Sequence, residues 1–216
     1  MGMCYNIKSE KNISPASLLP FGYNYSGNLD KWNLSDQACD YIFIGDQKLN
    51  FDLPGTLRAT DNTDSKSALS VVRFIEIDIH NLFDKNFFIE KKLDENCVLI
   101  VNTSNEHGMA EQRRIFIELI RMNIKSPVII KRSYSLNNSE ELALHAATDI
   151  GALFLDGFGD GIWIDAPLCP PDKVNGISFG ILQATRTRIS KTEYISCPSC
   201  GRTLFDLQET TAKIRS

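Results

Sequence analysis

No stretch of this sequence approaches the ~20 consecutive apolar residues that a membrane-crossing helix needs, and Met1 to Pro20 has no apolar core of the kind that marks a secretory signal. A soluble, intracellular protein with no membrane partner is expected. Basic stripes are missing too. The 23 Lys and Arg and 27 Asp and Glu are spread along 216 residues for a net charge of -4, so nothing is set up to neutralise nucleic-acid phosphates and no nucleic-acid partner is expected. Cysteine is sparse: Cys4, Cys39, Cys97, Cys169, Cys197 and Cys200 lack the dense, even spacing of a small secreted disulfide scaffold, which suits a reducing compartment. The first four sit in apolar or loop contexts and read as inert small side chains. His80, His107 and His145 show no His-x-x-x-His or Glu-x-x-His pairing, so none is expected to bind metal. No Ser/His/Asp arrangement for nucleophilic catalysis can be argued.

What is present is apolar material for one main domain plus a smaller piece. The chain is 43% hydrophobic, and a domain of ~150 residues already removes roughly two thirds of its unfolded surface from water. Residues 1 to about 35, rich in Asn, Ser, Gly and Pro, are predicted to be irregular. Tyr41-Ile42-Phe43-Ile44, closed by Gly45, predicts a buried strand. The partly alternating run Val71 to Ile79 predicts another with one wetter face. Cys97 to Val101 is a continuous apolar run and predicts a strand; a helix follows from about Glu106 to Asn123, with Met109, Phe116, Leu119 and Ile120 on one face. Pro127 to Ile130 restarts a strand, and Asn138 with Glu141 opens a capped helix continued by Leu142, Ala146 and Ile150. Ala152 to Asp156 is read as the next strand. Strands alternating with helices and buried on both faces imply a parallel β/α architecture, which periodicity alone cannot assign to an open sheet or a closed barrel.

Chemistry concentrates in Cys197-Pro198-Ser199-Cys200-Gly201-Arg202. Two thiols three residues apart can turn onto one metal, but a pair is half a site, and structural zinc or an iron-sulfur cluster needs further ligands. Pro198 limits the loop, Gly201 permits a turn that a side chain would obstruct, and Asp206 with Glu209 has helix-capping spacing. Arg202 would place positive charge beside such a centre, or is a surface residue. Arg186, Arg188 and Lys191 form a basic cluster that faces a diphosphate or an acidic electron donor, or is a solvated helix end. Asp156-Gly157-Phe158-Gly159-Asp160-Gly161 has closely spaced glycines but no Lys-Ser/Thr ending, and its two aspartates would repel phosphate, so it reads as a structural turn at a strand end. Glu140, Glu141, Arg113 and Arg114 read as solvated or capping charges.

The block from Lys191 to Gln208 resembles the entry to the iron-sulfur domain of the 4-hydroxy-3-methylbut-2-enyl diphosphate synthases. The resemblance extends through Phe179-Gly180-Ile181-Leu182-Gln183-Ala184-Thr185-Arg186-Thr187-Arg188 and Asp156 to Gly161, and is strongest for the long, three-domain form of plants and some bacteria. It implies an oxidoreductase of the non-mevalonate isoprenoid pathway that reductively opens and dehydroxylates 2-C-methylerythritol 2,4-cyclodiphosphate to 4-hydroxy-3-methylbut-2-enyl diphosphate. Electrons would come from reduced ferredoxin or flavodoxin through a [4Fe-4S] cluster held by three cysteines and one glutamate. Cys197 and Cys200 match the first two cysteines, while the family's third cysteine and its glutamate have no counterpart before Ser216. The chain is therefore expected to be a fragment, inactive alone, that supplies two cluster ligands and no catalytic residue.

For the fold, the resemblance implies an inserted β/α barrel-like domain of partial TIM-barrel type at 36–190, after an irregular segment at 1–35. The truncated start of a small α+β iron-sulfur domain follows at 191–216. Short-form members follow the comparable Gly-Asp with a substrate-holding Arg-x-Ser segment; here Ile162-Trp163-Ile164-Asp165 stands instead, which favours the turn reading. A cytoplasmic location, or a plastid in a plant or alga, and a homodimer are compatible with this family. The alternative is a complete non-enzymatic scaffold or interaction domain whose Cys197 and Cys200 share zinc with a second copy.

Overall fold

A computed structural model describes residues 2–7, 12–60, 72–84, 86–193 and 206–215. Its strands are β1 (Gly2–Asn6), β2 (Tyr23–Ser26), β3 (Lys31–Leu34), β4 (Tyr41–Phe43), β5 (Arg58–Thr60), β6 (Arg73–Ile77), β7 (Cys97–Val101), β8 (Val128–Ser133) and β9 (Gly161–Asp165). Its α-helices are α1 (Ile79–Phe83), α2 (Phe87–Lys91), α3 (Gly108–Arg121), α4 (Ser139–Ala146), α5 (Ala152–Leu155), α6 (Pro171–Ala184) and α7 (Leu207–Arg215). A 3-10 turn spans Pro15–Phe21, and a π-helical turn, Ala147–Gly151, joins α4 to α5.

Seven strands form one parallel sheet in the order β5-β4-β1-β9-β8-β7-β6, and β2 with β3 makes a separate antiparallel hairpin. Laid around a circle, this order follows the chain, with the last strand β9 returning to β1. Among the described residues β5 and β6 are not paired, so the sheet is a curled half-barrel with one open seam. The curl is visible in side chains: Phe74 of β6 lies 5.1 Å, centroid to centroid, from both Tyr41 and Phe43 of β4.

Period-two alternation gives each strand two dry faces. Cys4, Phe43, Phe74, Ile100, Ile129 and Trp163 fill the concave interior. Their neighbours in sequence, including Ile42, Ile75, Ile77, Leu99, Val101, Ile130, Ile162 and Ile164, pack with the core side chains of the surrounding helices. α3 turns Ile115, Phe116 and Leu119 to this outer layer, and its buried Gln112 donates from Nε2 to the carbonyls of Val101 (3.0 Å) and Lys131 (2.9 Å). α3 starts on a glycine because a Cβ at Gly108 would lie 2.0 Å from Arg132 Nη1. As the sequence predicts, Asn138 caps α4, accepting from Glu140 N at 2.8 Å, and Asp206 caps α7, accepting from Gln208 N at 2.8 Å and Glu209 N at 3.0 Å.

Four expectations need correction. Residues 1–35, read as irregular, supply β1, the 3-10 turn and the hairpin, and β1 sits inside the sheet between β4 and β9; a five-residue strand holding Gly, Cys and Asn carries little β signal of its own. Ala152 to Asp156, read as a strand, is the last turn of a helical run that begins at Ser139, and the true strand is β9. Ile120 is 64% exposed, whereas the polar Gln112 is buried in its place. The wetter face assigned to Val71–Ile79 is the interior, where Glu76 follows Phe74.

Two measurements test this packing. Phe74→Ala should cost about 3–5 kcal/mol in denaturant unfolding, and a loss below about 1 kcal/mol would contradict a closing role for that ring. Tyr23 is buried and its hydroxyl donates to Cys39 O at 2.6 Å; burial, the largest cause, pushes it up to about 12. A phenol whose folded pKa lies above the unfolded ~10 contributes stability in full below pH ~10 and loses it as pH rises through the folded value. Burial raises Tyr5 and Tyr134 in the same direction. Unfolding free energy should therefore fall between pH ~10 and ~12, with a shallower slope for Tyr23→Phe; an identical slope would refute the assignment.

Candidate functional site

Parallel pairing brings polar residues together where the strands end. Register sets Lys131 beside Trp163 and Ser133 beside Asp165. Lys131 Nζ donates to Glu76 Oε1 at 2.8 Å, and Asn102 Nδ2 donates to the same oxygen at 2.8 Å. The ammonium also lies 4.6 Å from the Trp163 ring centroid, and that ring stacks on Phe43 at 4.4 Å. A polar layer thus rests on an aromatic floor at the C-terminal end of the interior, the end at which β/α barrels carry their chemistry. A cleft of about 560 Å³ opens beside it, lined by Asn6, Phe21, Trp163, Asp165, Pro171 and Val174 among others. The loop after β7 is held rigid nearby, because buried Arg132 donates to Asn105 O (2.9 Å), Glu106 O (3.2 Å) and Asp149 Oδ2 (2.9 Å). With Lys131 neutralised by Glu76 and Asp165 close by in register, this mouth is a poor cradle for a diphosphate, whose charge calls for unpaired cations.

At the opposite end, α6 stops in a tightly bonded turn. Arg186 takes the left-handed conformation (φ 60°), and the amides of Thr187 and Arg188 reach Leu182 O at 2.9 and 3.1 Å. The segment 188–193 then folds back as a strap over the end of α6. The side chain of Gln183 accepts from Ser190 N (3.1 Å), Ser190 Oγ (3.1 Å) and Lys191 N (2.9 Å), and donates to Lys191 O (3.0 Å) and Glu193 Oε1 (3.0 Å). Arg188 Nη1 donates to Asp40 Oδ2 at 2.6 Å, and its guanidinium lies 5.1 Å from the Phe179 ring centroid.

The sequence-predicted residues fall into three groups. Cys197, Cys200 and Arg202 lie outside the described residues. The basic cluster is inside them: Arg186 pairs with Glu193 at 2.8 Å and Arg188 with Asp40, so both serve the strap. The Asp156–Gly161 stretch is a turn leading into β9, with Gly157 and Gly159 at φ 81° and 87°; Asp156 pairs with Arg113, and Asp160 Oδ2 accepts from Val128 N at 2.9 Å. Both carboxylates therefore have structural partners. His80, His107 and His145 are exposed, and among the described residues no group of His, Cys, Asp and Glu could hold a metal ion. Burial pushes the thiols of Cys4 and Cys39 well up, which keeps them protonated and unreactive. Gln183, Asp40, Lys131 and Glu76 were not visible as site candidates; the one available signal was a charge inside an otherwise apolar strand, as at Lys131.

No family model matches the chain, and no solved structure matches it. Curated relatives do. The 4-hydroxy-3-methylbut-2-en-1-yl diphosphate synthase (flavodoxin) of Parabacteroides distasonis is 38% identical over 196 residues, covering 89% of this chain and 31% of that protein. The enzyme of the same name from Porphyromonas gingivalis is 47% identical over 121 residues, 56% of this chain and 21% of that protein. The chloroplastic, ferredoxin-named synthase of Arabidopsis thaliana is 47% identical over 104 residues, 48% of this chain and 14% of that protein. This chain thus spans under a third of the length of the relatives it matches. A non-enzymatic scaffold draws no support from these matches. No helix among the described residues is long and apolar enough to cross a membrane.

The mouth network is open to a double-mutant cycle. Lys131 and Glu76 are 14% and 29% exposed, so Lys131→Met and Glu76→Gln should show a coupling energy of about 1–2 kcal/mol in unfolding experiments. A value within about 0.3 kcal/mol of zero would show that the pair adds nothing.

Proposed function

From a chain homologous to a stretch of the 4-hydroxy-3-methylbut-2-en-1-yl diphosphate synthases, we propose a parent protein with that activity: reductive ring opening and dehydroxylation of 2-C-methylerythritol 2,4-cyclodiphosphate. The observation that carries the reading is the 38% identity maintained over 196 residues, nearly the whole chain. In this reading the half-barrel, from Gly2 to about residue 190, is the inserted domain of the long form, and residues 191–216 begin the iron-sulfur domain.

The donor set fits a [4Fe-4S] cluster. Cys197 and Cys200 are soft thiolate ligands at the spacing such clusters use, and the remaining ligands lie elsewhere in the parent. When bound, the cluster supplies the two electrons that the ring opening and dehydroxylation consume. Of this chain's residues, the thiolates of Cys197 and Cys200 would hold iron. The mouth around Lys131 and Glu76 is not assigned to the substrate, because its carboxylates oppose a diphosphate. Reduced flavodoxin or ferredoxin is the proposed donor, following the names of the relatives, and the cytoplasm, or a plastid in a plant or alga, the proposed location.

The test uses the full-length protein reconstituted anaerobically with iron and sulfide. A brown chromophore with about four irons per chain, and product formation from the cyclodiphosphate with a reduced donor, are expected. Cys197→Ser and Cys200→Ser should each lose the chromophore, while the 216-residue chain alone should hold no stable cluster. A full-length protein that turns over substrate without iron would overturn the reading.

A further inference from the structure

We propose that the start of α6, together with the 3-10 turn and the β2–β3 hairpin, forms a binding site for an organic cation: a guanidinium or ammonium group on an aliphatic stem. The site needs no metal centre and goes beyond the activity proposed above. Its central feature is Asn175, a polar side chain only 4% exposed. Nδ2 donates to Gln37 O at 3.0 Å, whereas the buried Oδ1 meets no donor among the described residues. Turning the amide over would set Oδ1 against Gln37 O, acceptor against acceptor, so that carbonyl fixes which way the amide lies. Buried amide oxygens ordinarily accept a hydrogen bond. This one is left for a donor that the described chain does not supply.

Asn175 lines a cleft of about 380 Å³, within the size range of small-ligand pockets. Asp172 lines it too, three residues earlier on α6 and so on the same helical face. Among the described residues its carboxylate has no partner, and it is the only charged group in the lining. Two acceptors, one of them anionic, therefore share a cleft with no cation beside them. Leu19, Pro20 and Leu34 add apolar wall. That combination suits a ligand whose stem lies along apolar surface while its charged head donates to oxygen. An anion is disfavoured by Asp172, and the helix start offers it little, because Pro171 has no N–H and the Lys173 and Val174 amides both donate to Pro170 O. A calcium site gathers ~6–8 oxygens, several from carboxylates, and among the described residues no group of three or more His, Cys, Asp and Glu could hold a metal ion. The wall carrying Gln37 is held in place: Ser35 N donates to Gly22 O at 2.9 Å, and at Gly22 (φ 89°) a Cβ would lie 2.6 Å from Gln37 O.

The experiment titrates the full-length protein calorimetrically with agmatine, with the blocked tripeptide acetyl-Gly-Arg-Gly-amide, and with uncharged pentanamide as control. Saturable binding of at least one of the two cations is expected, with a Kd of about 1 mM or tighter; tighter binding of agmatine assigns the site to a free small molecule, and tighter binding of the tripeptide assigns it to a protein side chain. Asp172→Asn, a surface change that leaves the fold alone, should weaken the cation about tenfold or more, and raising salt from about 0.05 M to 0.5 M should weaken it as well. Asn175→Leu removes the unpaired oxygen together with the bond to Gln37 O and should weaken the cation by a similar factor; its unfolding midpoint is measured alongside, and if it fails to fold, Asp172→Asn alone decides. Neither cation binding up to about 20 mM would overturn the proposal, as would pentanamide binding equally well, Asp172→Asn leaving the affinity unchanged, or calcium chloride at about 0.1 mM displacing the bound cation. Each of these results is read on binding alone and stands whether or not the protein takes up iron.

Discussion

β1 is hydrogen-bonded along both edges, to β4 on one side and β9 on the other. Without it the sheet falls into two pieces, β5-β4 and β9-β8-β7-β6. Gly2 pairs with Gly161 and Cys4 with Tyr41, so the joint between the pieces links residues far apart in sequence. Closing so long a loop is entropically expensive, and contacts of this span form slowly. The remaining features depend on that joint: the interior between Phe43, Phe74 and Trp163 exists only when β4 and β6 face each other, and the Asp40 carboxylate is aimed at the Met3 amide of the same strand.

The two ends of the curled sheet have been given different chemistry. At the C-terminal ends of the strands, Lys131, Glu76 and Asn102 satisfy one another above stacked rings, which makes a polar layer stable in a partly dry space but leaves it little unbalanced charge. At the N-terminal ends, Asp40 accepts from the Met3 amide and from Arg188, and Gln183 spends its side-chain hydrogen bonds on residues 190–193. The first arrangement preserves the form of a barrel site; the second fixes where the chain leaves.

How far the sequence could be read follows from the physics of each element. β4, β7 and β8 were legible because each is an uninterrupted apolar run between helical or turn signals, and α4 because Asn138 and Glu141 mark its start. β1, β5 and β9 were not: each is five residues or fewer and carries Gly, Asn, Arg or Asp. Their strand character comes from the neighbours they pair with rather than from their own composition. Ala152–Asp156 misled because a short apolar run fits a buried strand and a buried helix end equally well. Cys197 and Cys200 were singled out through the residues around them and lie outside the described residues. Asp40 and Gln183 were not, since nothing local in Asp40 announces a partner 148 positions away at Arg188.

The π-helical turn at Ala147–Gly151 has a consequence for how this fold can change. A wide turn of this kind amounts to one residue inserted into an α-helix, and it occurs where Asp149 meets both Arg132 and the Tyr134 hydroxyl. Because the wide turn absorbs its extra residue, the helical turns on either side keep their phase, and deleting that residue would restore ordinary pitch with Leu153 and Phe154 still facing the core, the change falling on Asp149 and its bonds to Arg132 and Tyr134. A chain one residue shorter at this point could therefore keep the helix and its buried face while giving up the place where Asp149 is held.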